Sequence, residues 1–157
     1  MNKIAVGGIL ELRGLTMIEI LGFPNKPGHA GQILTLLGDA EINLHFIAEC
    51  EDSNELANIT ICVVPTVAKK ALKVINNYLS SCPEGYVKCN SNVAIITIYG
   101  PHFREKPAIC GKMCYILGHC EVNILGISTS ISSVCCIIDD ANFKRAFDGL
   151  LTVFALP

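Results

Sequence analysis

The alternation of apolar and polar residues predicts a regular succession of strands and helices in the first half of the chain. Short runs rich in β-branched residues, such as Thr16–Gly22 and Asn58–Val64, are typical of strands. Apolar residues that recur at i, i+3, i+4 and i+7, as between Ala30 and Leu37, indicate a helix with one buried face. The predicted elements are strands at 16–22, 42–48, 58–64 and 86–89, and helices at 28–40 and 66–79.

The second half repeats this succession but ends one strand early. Strands are predicted at 93–99, 122–128 and 133–138, and a helix is predicted at 108–119. A last helix follows Asp139 or Asp140, either of which can cap it, and its apolar stripe runs from Phe143 to Phe154. The second sheet would then lack its fourth strand and would keep an exposed edge.

The segment Val6–Arg13 (VGGILELR) is a strand-like run that precedes both units. We predict that it completes the second sheet, so that the first unit is inserted into the second. The predicted fold class is α+β, with two ferredoxin-like βαββαβ units that have antiparallel sheets, the first nested within the second. The predicted boundaries are 14–90 for the first unit, and 1–13 plus 91–157 for the second.

The two halves also share sequence at a constant offset of 80 residues. Glu41-Ile42-Asn43-Leu44 recurs as Glu121-Val122-Asn123-Ile124. Other matches at this offset are Lys26-Pro27 with Lys106-Pro107, Gly31 with Gly111, Gly38 with Gly118 and Ile47 with Ile127. A repeat of this length is a small domain, and the interface between two similar domains is a common place for a ligand.

Composition narrows the possible functions. Of the 157 residues 51% are hydrophobic and 17% charged, which allows a substantial core. A net charge of −2 without a basic block argues against nucleic acid as the main partner. No apolar run has the length of a membrane span. The first residues, with Glu11 and Arg13, are unlike a signal peptide, so a cytoplasmic location is predicted.

The nine cysteines are predicted to be reduced and structural. Cys62, Cys135 and Cys136 fall inside apolar strand-like runs, and Cys110 and Cys114 are one helical turn apart. The chain has no C-x-x-C pair and no Cys/His spacing typical of zinc sites. We therefore expect neither a metal site nor a cofactor.

The junction between the first strand and the first helix is a candidate binding site. It has the sequence Asn25-Lys26-Pro27-Gly28-His29-Ala30-Gly31. The free N–H groups of a helix N-terminus attract a carboxylate, so the loop could bind the α-carboxylate of an amino acid. A tight turn that requires glycine explains the same residues.

Two further features allow both a binding and a structural interpretation. Asn43 and Asn123 each lie between apolar residues, and their amides could contact the same ligand or complete the turn from helix to strand. Ile127-Ser128-Thr129-Ser130 could form a polar ligand wall or a hydrogen-bonded sheet edge.

No catalytic set is apparent. The four histidines have no matched acid or nucleophile, and P-loop and G-x-G-x-x-G motifs are absent. A ferredoxin-like enzyme that hydrolyses acyl phosphates would need an arginine on a glycine-rich loop, to which Arg104 is the nearest approach. A metal carrier of the same fold would need the missing C-x-x-C pair.

Taken together, these motifs resemble the tandem ACT domains that regulate aspartate kinase. In the first unit the resemblance rests on Lys26-Pro27-Gly28 and Glu41-Ile42-Asn43-Leu44. In the second it rests on Val93–Gly100, Glu121-Val122-Asn123-Ile124, Ile127-Ser128-Thr129-Ser130, Asp139-Asp140 and Phe154-Ala155-Leu156. It covers nearly the whole chain, and the family has the nested topology predicted above.

The resemblance implies a non-catalytic regulatory region, either excised from the kinase or made as a separate small subunit. It implies three partners: an amino acid effector, usually lysine or threonine, a second copy paired through the ACT sheets, and the kinase catalytic domain. The implied effector-binding residues are Asn25, Lys26, Gly28, His29, Ala30, Gly31, Asn43, Leu44, Asn123, Ile124, Thr129 and Ser130. A free-standing ACT sensor that acts on another partner is the alternative.

Two positions depart from the family pattern. Ile131 follows Ser-Thr-Ser where many members have Glu, which removes a carboxylate that could meet an effector ammonium. Ala108 follows Pro107 where the first unit has glycine. Lysine is the first expectation for the effector and threonine the second, with methionine and diaminopimelate also open.

Overall fold

The computed structural model describes residues 2–101, 103 and 107–157. Its elements in chain order are β1 (Ile4–Ala5), β2 (Gly8–Pro24), α1 (His29–Asp39), β3 (Phe46–Glu51), β4 (Leu56–Val63), α2 (Pro65–Leu79), β5 (Tyr86–Tyr99), α3 (Ile109–His119), β6 (Gly126–Thr129), β7 (Ser133–Asp139), a 3₁₀ turn (Asp140–Asn142), α4 (Phe143–Leu150) and β8 (Phe154–Ala155).

The chain divides into two compact units, which we call the first and the second unit. The first is Leu15–Ser91, and the second is Met1–Gly14 together with Asn92–Pro157. Strands β2 and β5 each contribute one part to each unit. Gly14 (φ 65°) and Asn92 (φ 58°), at the two boundaries, have left-handed backbone conformations.

The first unit has the strand order β3-β4-β2-β5. Strand β4 pairs antiparallel with β2 and with β3. Alternate residues of the strands and the apolar stripes of α1 and α2 form one core, because the strands repeat every two residues and the helices about every 3.6. This core includes Ile18, Ile20, Phe23, Ile33, Leu37, Ile59, Ile61 and Ile75.

The second unit has the strand order β2-β5-β7-β6, so an early strand does complete its sheet. Gly7 N–H donates to Tyr99 O at 2.7 Å, next to the point where β2 runs beside β5. Strand β7 pairs antiparallel with β5 and with β6. The core includes Ile96, Ile98, Met113, Leu117, Cys136, Phe143, Leu150 and Phe154. The predicted class, two ferredoxin-like units with the first nested in the second, is confirmed.

Two pairs of predicted strands are single strands in the structure. The runs predicted at 86–89 and 93–99 join as β5, and those predicted at 6–13 and 16–22 join as β2, apart from the short β1. Left-handed residues occur inside both strands without ending them, at Gly14 and Gly22 in β2 and at Asn92 in β5.

The strands predicted at 42–48 and 122–128 start four residues later, at Phe46 and Gly126. The chain first leaves each helix through a left-handed residue, Glu41 (φ 58°) or Glu121 (φ 56°). The next N–H group then bonds back to the helix, from Ile42 to Leu37 O at 3.0 Å in the first unit. These bonds form a motif that ends the helix, and it includes Ile42 and Val122, which the apolar pattern assigned to the start of a strand.

The last predicted helix is also shorter than its apolar stripe. It ends at Leu150, and Phe154 lies in β8, which pairs parallel with β1. Ile4 N–H donates to Val153 O at 2.8 Å. Phe154 is fully buried in β8. Because an apolar residue can be buried in a helix or in a strand, its character alone could not distinguish the two.

Candidate functional site

The first candidate loop, residues 25–28, forms a tight turn into α1. Lys26 N–H donates to Pro24 O at 3.0 Å, and His29 N–H donates to Lys26 O at 3.2 Å. Gly28 has φ 91°, a conformation that side chains disfavour. The first helical bond runs from Gln32 N–H to Gly28 O at 2.9 Å. The N–H groups of Ala30 and Gly31 therefore have no acceptor within the helix, as predicted for an anion-binding N-terminus.

A carboxylate lies beside this loop. Asn25 Nδ2 donates to Glu51 Oε2, and both residues are exposed. Glu51 is the last residue of β3, so the sheet brings it to the loop from 26 positions away. None of the sequence motifs described above includes Glu51. The offset of 80 residues would have found it, because it places Glu51 opposite Ile131, where the missing carboxylate was noted.

An open cavity of about 630 Å³ runs along the outer side of α1. It is lined by Gly28, Gly31, Gln32, Thr35, Leu36 and Tyr78. The ring of His29 lies edge-on to Tyr78, with centroids 6.4 Å apart. His29 Nδ1 is buried and has no hydrogen-bond partner among the residues that the structure describes. Two of the predicted loop residues, Gly28 and Gly31, thus line a cavity.

Asn43 and Leu44 lie at the other end of α1. The helix has 11 residues and is therefore about 16 Å long. Asn43 is exposed, whereas Leu44 packs against the core of the first unit. Asn123 and Ile124 occupy the same places after α3. Within one unit, these residues and the loop do not line one small pocket.

The second unit places Thr129 and Ser130 next to the start of α3. A cavity of about 210 Å³ there is lined by Phe103, Pro107, Ala108, Ile109, Cys110, Thr129, Ser130, Ile131 and Val134. Ser130 Oγ lies 2.9 Å from Ser133 Oγ, and Ser132 N–H donates to Ser130 Oγ at 3.3 Å. Thr129, at the end of the edge strand β6, and Ser130, which follows it, therefore lie at the edge of the sheet and also line the cavity.

Ala108 takes the place of Gly28 without changing the backbone. It precedes α3 with φ 76°, a left-handed conformation like that of Gly28. Ile131 lies on the cavity wall with 64% of its surface exposed. The two departures therefore change the side chains at these positions, while the backbone at Ala108 keeps the left-handed conformation found at Gly28. Arg104 and the loop residue Lys106 lie outside the described residues.

The two carboxylates proposed as helix caps have different roles. Asp139 Oδ1 accepts the N–H of Ala141 at 3.0 Å, which confirms a cap at the 3₁₀ turn before α4. Asp140 instead forms an ion pair with Arg13. Hydrogen bonds from Arg13 and from Gly14 N–H hold the pKa of the Asp140 carboxyl below its ordinary value.

Within residues 2–101, 103 and 107–157, no group of three or more His, Cys, Asp or Glu side chains is arranged to hold a metal ion. None of the helices described there has the length and apolar character needed to cross a membrane.

Two nested βαββαβ units, with Gly28 before the first helix of one and Ala108 before the first helix of the other, match the fold of ACT-type regulatory domains. The comparisons agree with this class. No protein-family model matches the chain. An aspartokinase from Mycolicibacterium smegmatis is 22% identical in an alignment of 160 positions, gaps included, that covers 99% of this chain and 38% of that protein.

Solved structures extend the similarity. The regulatory subunit of aspartate kinase from Thermus flavus matches with a TM-score of 0.86 at 21% identity, over 95% of this chain and 98% of that one. A chain of a structure of aspartokinase α and β subunits matches with a TM-score of 0.84 at 25% identity, over 94% and 97% of the two chains. The predicted resemblance to the regulatory region of aspartate kinase is confirmed.

The share of each relative that this chain covers indicates which part of an aspartate kinase the chain matches. The chain spans about 38% of the length of the curated relative described above, but nearly the full length of separate regulatory subunits. The 157 residues thus correspond to the regulatory part, and none of them is available for a kinase domain.

Proposed function

We propose that this chain binds an end-product amino acid and transmits feedback control to an aspartate kinase catalytic domain. The observation that carries the proposal is the Glu51–Asn25 pair beside the N-terminus of α1. An α-amino acid has a carboxylate and an ammonium a few ångströms apart. The free N–H groups of Ala30 and Gly31 suit the carboxylate, and Glu51 suits the ammonium.

Lysine is the effector that we place first, and threonine second. The structure of Escherichia coli aspartokinase III has been solved in complex with lysine and aspartate. The match covers 96% of this chain and 33% of the E. coli chain, with a TM-score of 0.70. At 14% identity the match supports a common fold, and the extension of lysine to this chain is our proposal.

Binding would act by shifting an equilibrium between two arrangements of paired chains. The loop at α1 would contribute one wall of the pocket, and residues such as Asn43 of a second copy would contribute another. An effector that contacts both chains binds one arrangement more tightly, and its differential affinity sets the size of the regulatory effect. A homodimer, a kinase catalytic domain as partner and a cytoplasmic location belong to this proposal.

A free-standing ACT sensor that acts on a different protein is the second candidate. The similarity to a regulatory subunit does not name the protein on which this chain acts. A kinase domain encoded upstream in the same reading frame, or co-purification with a kinase subunit, would decide for the first candidate.

Calorimetric titration of the chain with lysine, threonine, methionine and diaminopimelate, one at a time, tests the proposal. We expect saturable binding of lysine. A ligand at 100 times its Kd should also stabilise the fold by about 2.7 kcal/mol, which thermal unfolding measures independently. Absence of binding by all four amino acids, both alone and with a kinase catalytic subunit added, would overturn it.

A further inference from the structure

Three of the nine cysteines lie on the α3 side of the sheet in the second unit. Cys110 and Cys114 are on α3 and Cys136 is on β7, whereas Cys135 is on the opposite face of β7 and accepts a hydrogen bond from Thr97. Cys136 is fully buried in the core of the unit, and Cys110 packs against the same core. Cys110 also lines the cavity of about 210 Å³ next to Thr129 and Ser130. The cluster therefore extends from a solvent-accessible cavity into the core.

Within the cluster, Cys114 lies one helical turn after Cys110 on α3, so the two side chains share a face of the helix. Burial raises the pKa of Cys114 and of Cys136, and Cys136 is the more deeply buried of the two. Cys110 and Cys114 both keep part of their surface exposed.

Packing alone does not require thiols at these positions. At the offset of 80 residues, the first unit has Ala30 in place of Cys110 and Leu34 in place of Cys114. Both residues pack against the core of the first unit, as Cys110 does in the second. Two ordinary apolar side chains fill the equivalent space, so a thiol pair one helical turn apart adds a chemical property that the fold does not need.

We propose that Cys110 and Cys114 form a redox-sensitive thiol pair that a hydroperoxide oxidises through the cavity at the start of α3. The sulfur of Cys110 attacks the peroxide, whose O–O bond breaks to give a sulfenic acid and an alcohol, or one water when the oxidant is hydrogen peroxide. The thiol of Cys114 then displaces the sulfenic hydroxyl, which leaves as water, and an S–S bond forms. Two thiols lose two electrons in total, and the peroxide gains them.

This disulfide would alter the start of α3. Side chains at i and i+4 of a helix have Cβ atoms about 5–6 Å apart, whereas a disulfide needs about 3.5–4.5 Å. The first turn of α3 must therefore deform when the bond forms. Ala108, Ile109 and Cys110 are on the wall of the cavity that contains Thr129 and Ser130, so oxidation would change its shape.

Peptide mapping of the full chain after treatment with hydrogen peroxide tests the proposal. Lys112 separates the two cysteines, so trypsin places them in different peptides, residues 105–112 and 113–144. We expect a cross-linked pair of these peptides, with loss of two free thiols per chain. Fragmentation of the cross-linked species must locate the bond at Cys114, because the longer peptide also contains Cys120, Cys135 and Cys136.

Matched serine variants make the test specific. Cys114→Ser should stop the reaction at a sulfenic acid on Cys110, detectable by dimedone labelling. Replacement of the exposed Cys50 and Cys89 of the first unit by serine should leave the cross-link unchanged. Cys136→Ser should also leave it unchanged. Oxidation confined to Cys50 and Cys89, or a disulfide that joins Cys136 to either cysteine, would overturn the proposal.

Discussion

Arg13 and Asp140 are 127 positions apart in the chain and form a two-point ion pair. Arg13 Nε donates to Asp140 Oδ1 at 3.2 Å, and Arg13 Nη2 donates to Oδ2 at 3.0 Å. Gly14 N–H also donates to Asp140 Oδ1, at 3.0 Å. The guanidinium lies over the ring of Phe143, 4.6 Å from its centroid. These contacts join the early strand of the second unit to the start of α4.

Replacement of Asp140 should make the stability of the second unit less dependent on pH. The Asp140 pKa is lowered from its ordinary value of 3.8 when the chain is folded. Its stabilisation is therefore present above the unfolded pKa and is lost as pH falls through the lower folded pKa. We expect Asp140→Asn to unfold at a lower urea concentration than the wild type at pH 7, with the difference shrinking at pH 3 and below.

Asp148 provides the control for that experiment. It pairs with Lys144 on the exposed surface of α4, with 57% of its side chain accessible. Exposed pairs of this kind contribute little, so Asp148→Asn should leave the urea midpoint nearly unchanged. Equal effects of Asp140→Asn and Asp148→Asn at pH 7 would show that the Arg13 pair has no special role.

Deletion of residues 1–13 should unfold the second unit and spare the first. The deletion removes β1, the part of β2 that lies in the second unit, and Arg13. Without them β5 and β8 lose their pairing partners on that side. Hydrogen exchange would show lost protection in α3 and β7, with α1 and β4 still protected.

A shorter deletion gives the matched control. Removal of residues 1–3 stops before Ile4, the first residue of β1, and should preserve protection throughout. A second unit that remains protected after the longer deletion would contradict the proposal that residues 1–13 and 91–157 fold as one domain.

Gly22 should tolerate a side chain poorly. Its φ is 70°, and an added Cβ would lie 2.9 Å from the carbonyl oxygen of Glu84. Both the strained conformation and the backbone contact oppose Gly22→Ala, for which we expect a loss of more than about 1 kcal/mol in the free energy of unfolding. Gly38→Ala, at a helical position with open space around it, should instead stabilise by about 0.5–1 kcal/mol. Similar urea midpoints for the two variants would contradict the expectation that the backbone conformation of Gly22 and its contact with Glu84 disfavour a side chain.

The Glu51 carboxylate should be needed for effector affinity. Glu51→Gln keeps the size and a hydrogen-bonding amide but removes the charge that would meet an ammonium. Loss of a charge-assisted hydrogen bond of about 1.5–3 kcal/mol would weaken lysine binding by roughly tenfold or more in a calorimetric titration. Unchanged affinity would place the ammonium elsewhere.

The equivalent position of the second unit allows the reverse experiment. Ile131 is exposed on the cavity wall, so Ile131→Glu adds a carboxylate without removing a buried side chain. We expect a second, weaker lysine site or a higher binding stoichiometry. A titration curve identical to that of the wild type would show that the carboxylate at this place is not sufficient for binding.

The sequence by itself determined the order of the elements and the nesting of the two units. Apolar periodicity is a local property, and the helices found at His29–Asp39 and Ile109–His119 lie within one residue of their predicted bounds at both ends. The missing fourth strand and the unassigned early segment led to the nested topology because a sheet edge needs a partner. The position of the glycine loop before α1 also followed from the local pattern.

Only the tertiary structure decided which distant residues meet. Glu51 reaches Asn25 because β3 ends beside the loop, and Arg13 reaches Asp140 because the early strand lies next to β5. The assignment of Phe154 to β8 likewise depended on its pairing with β1. Periodicity reports which face of an element is buried, whereas such contacts depend on strand order and strand length, which long-range pairing sets.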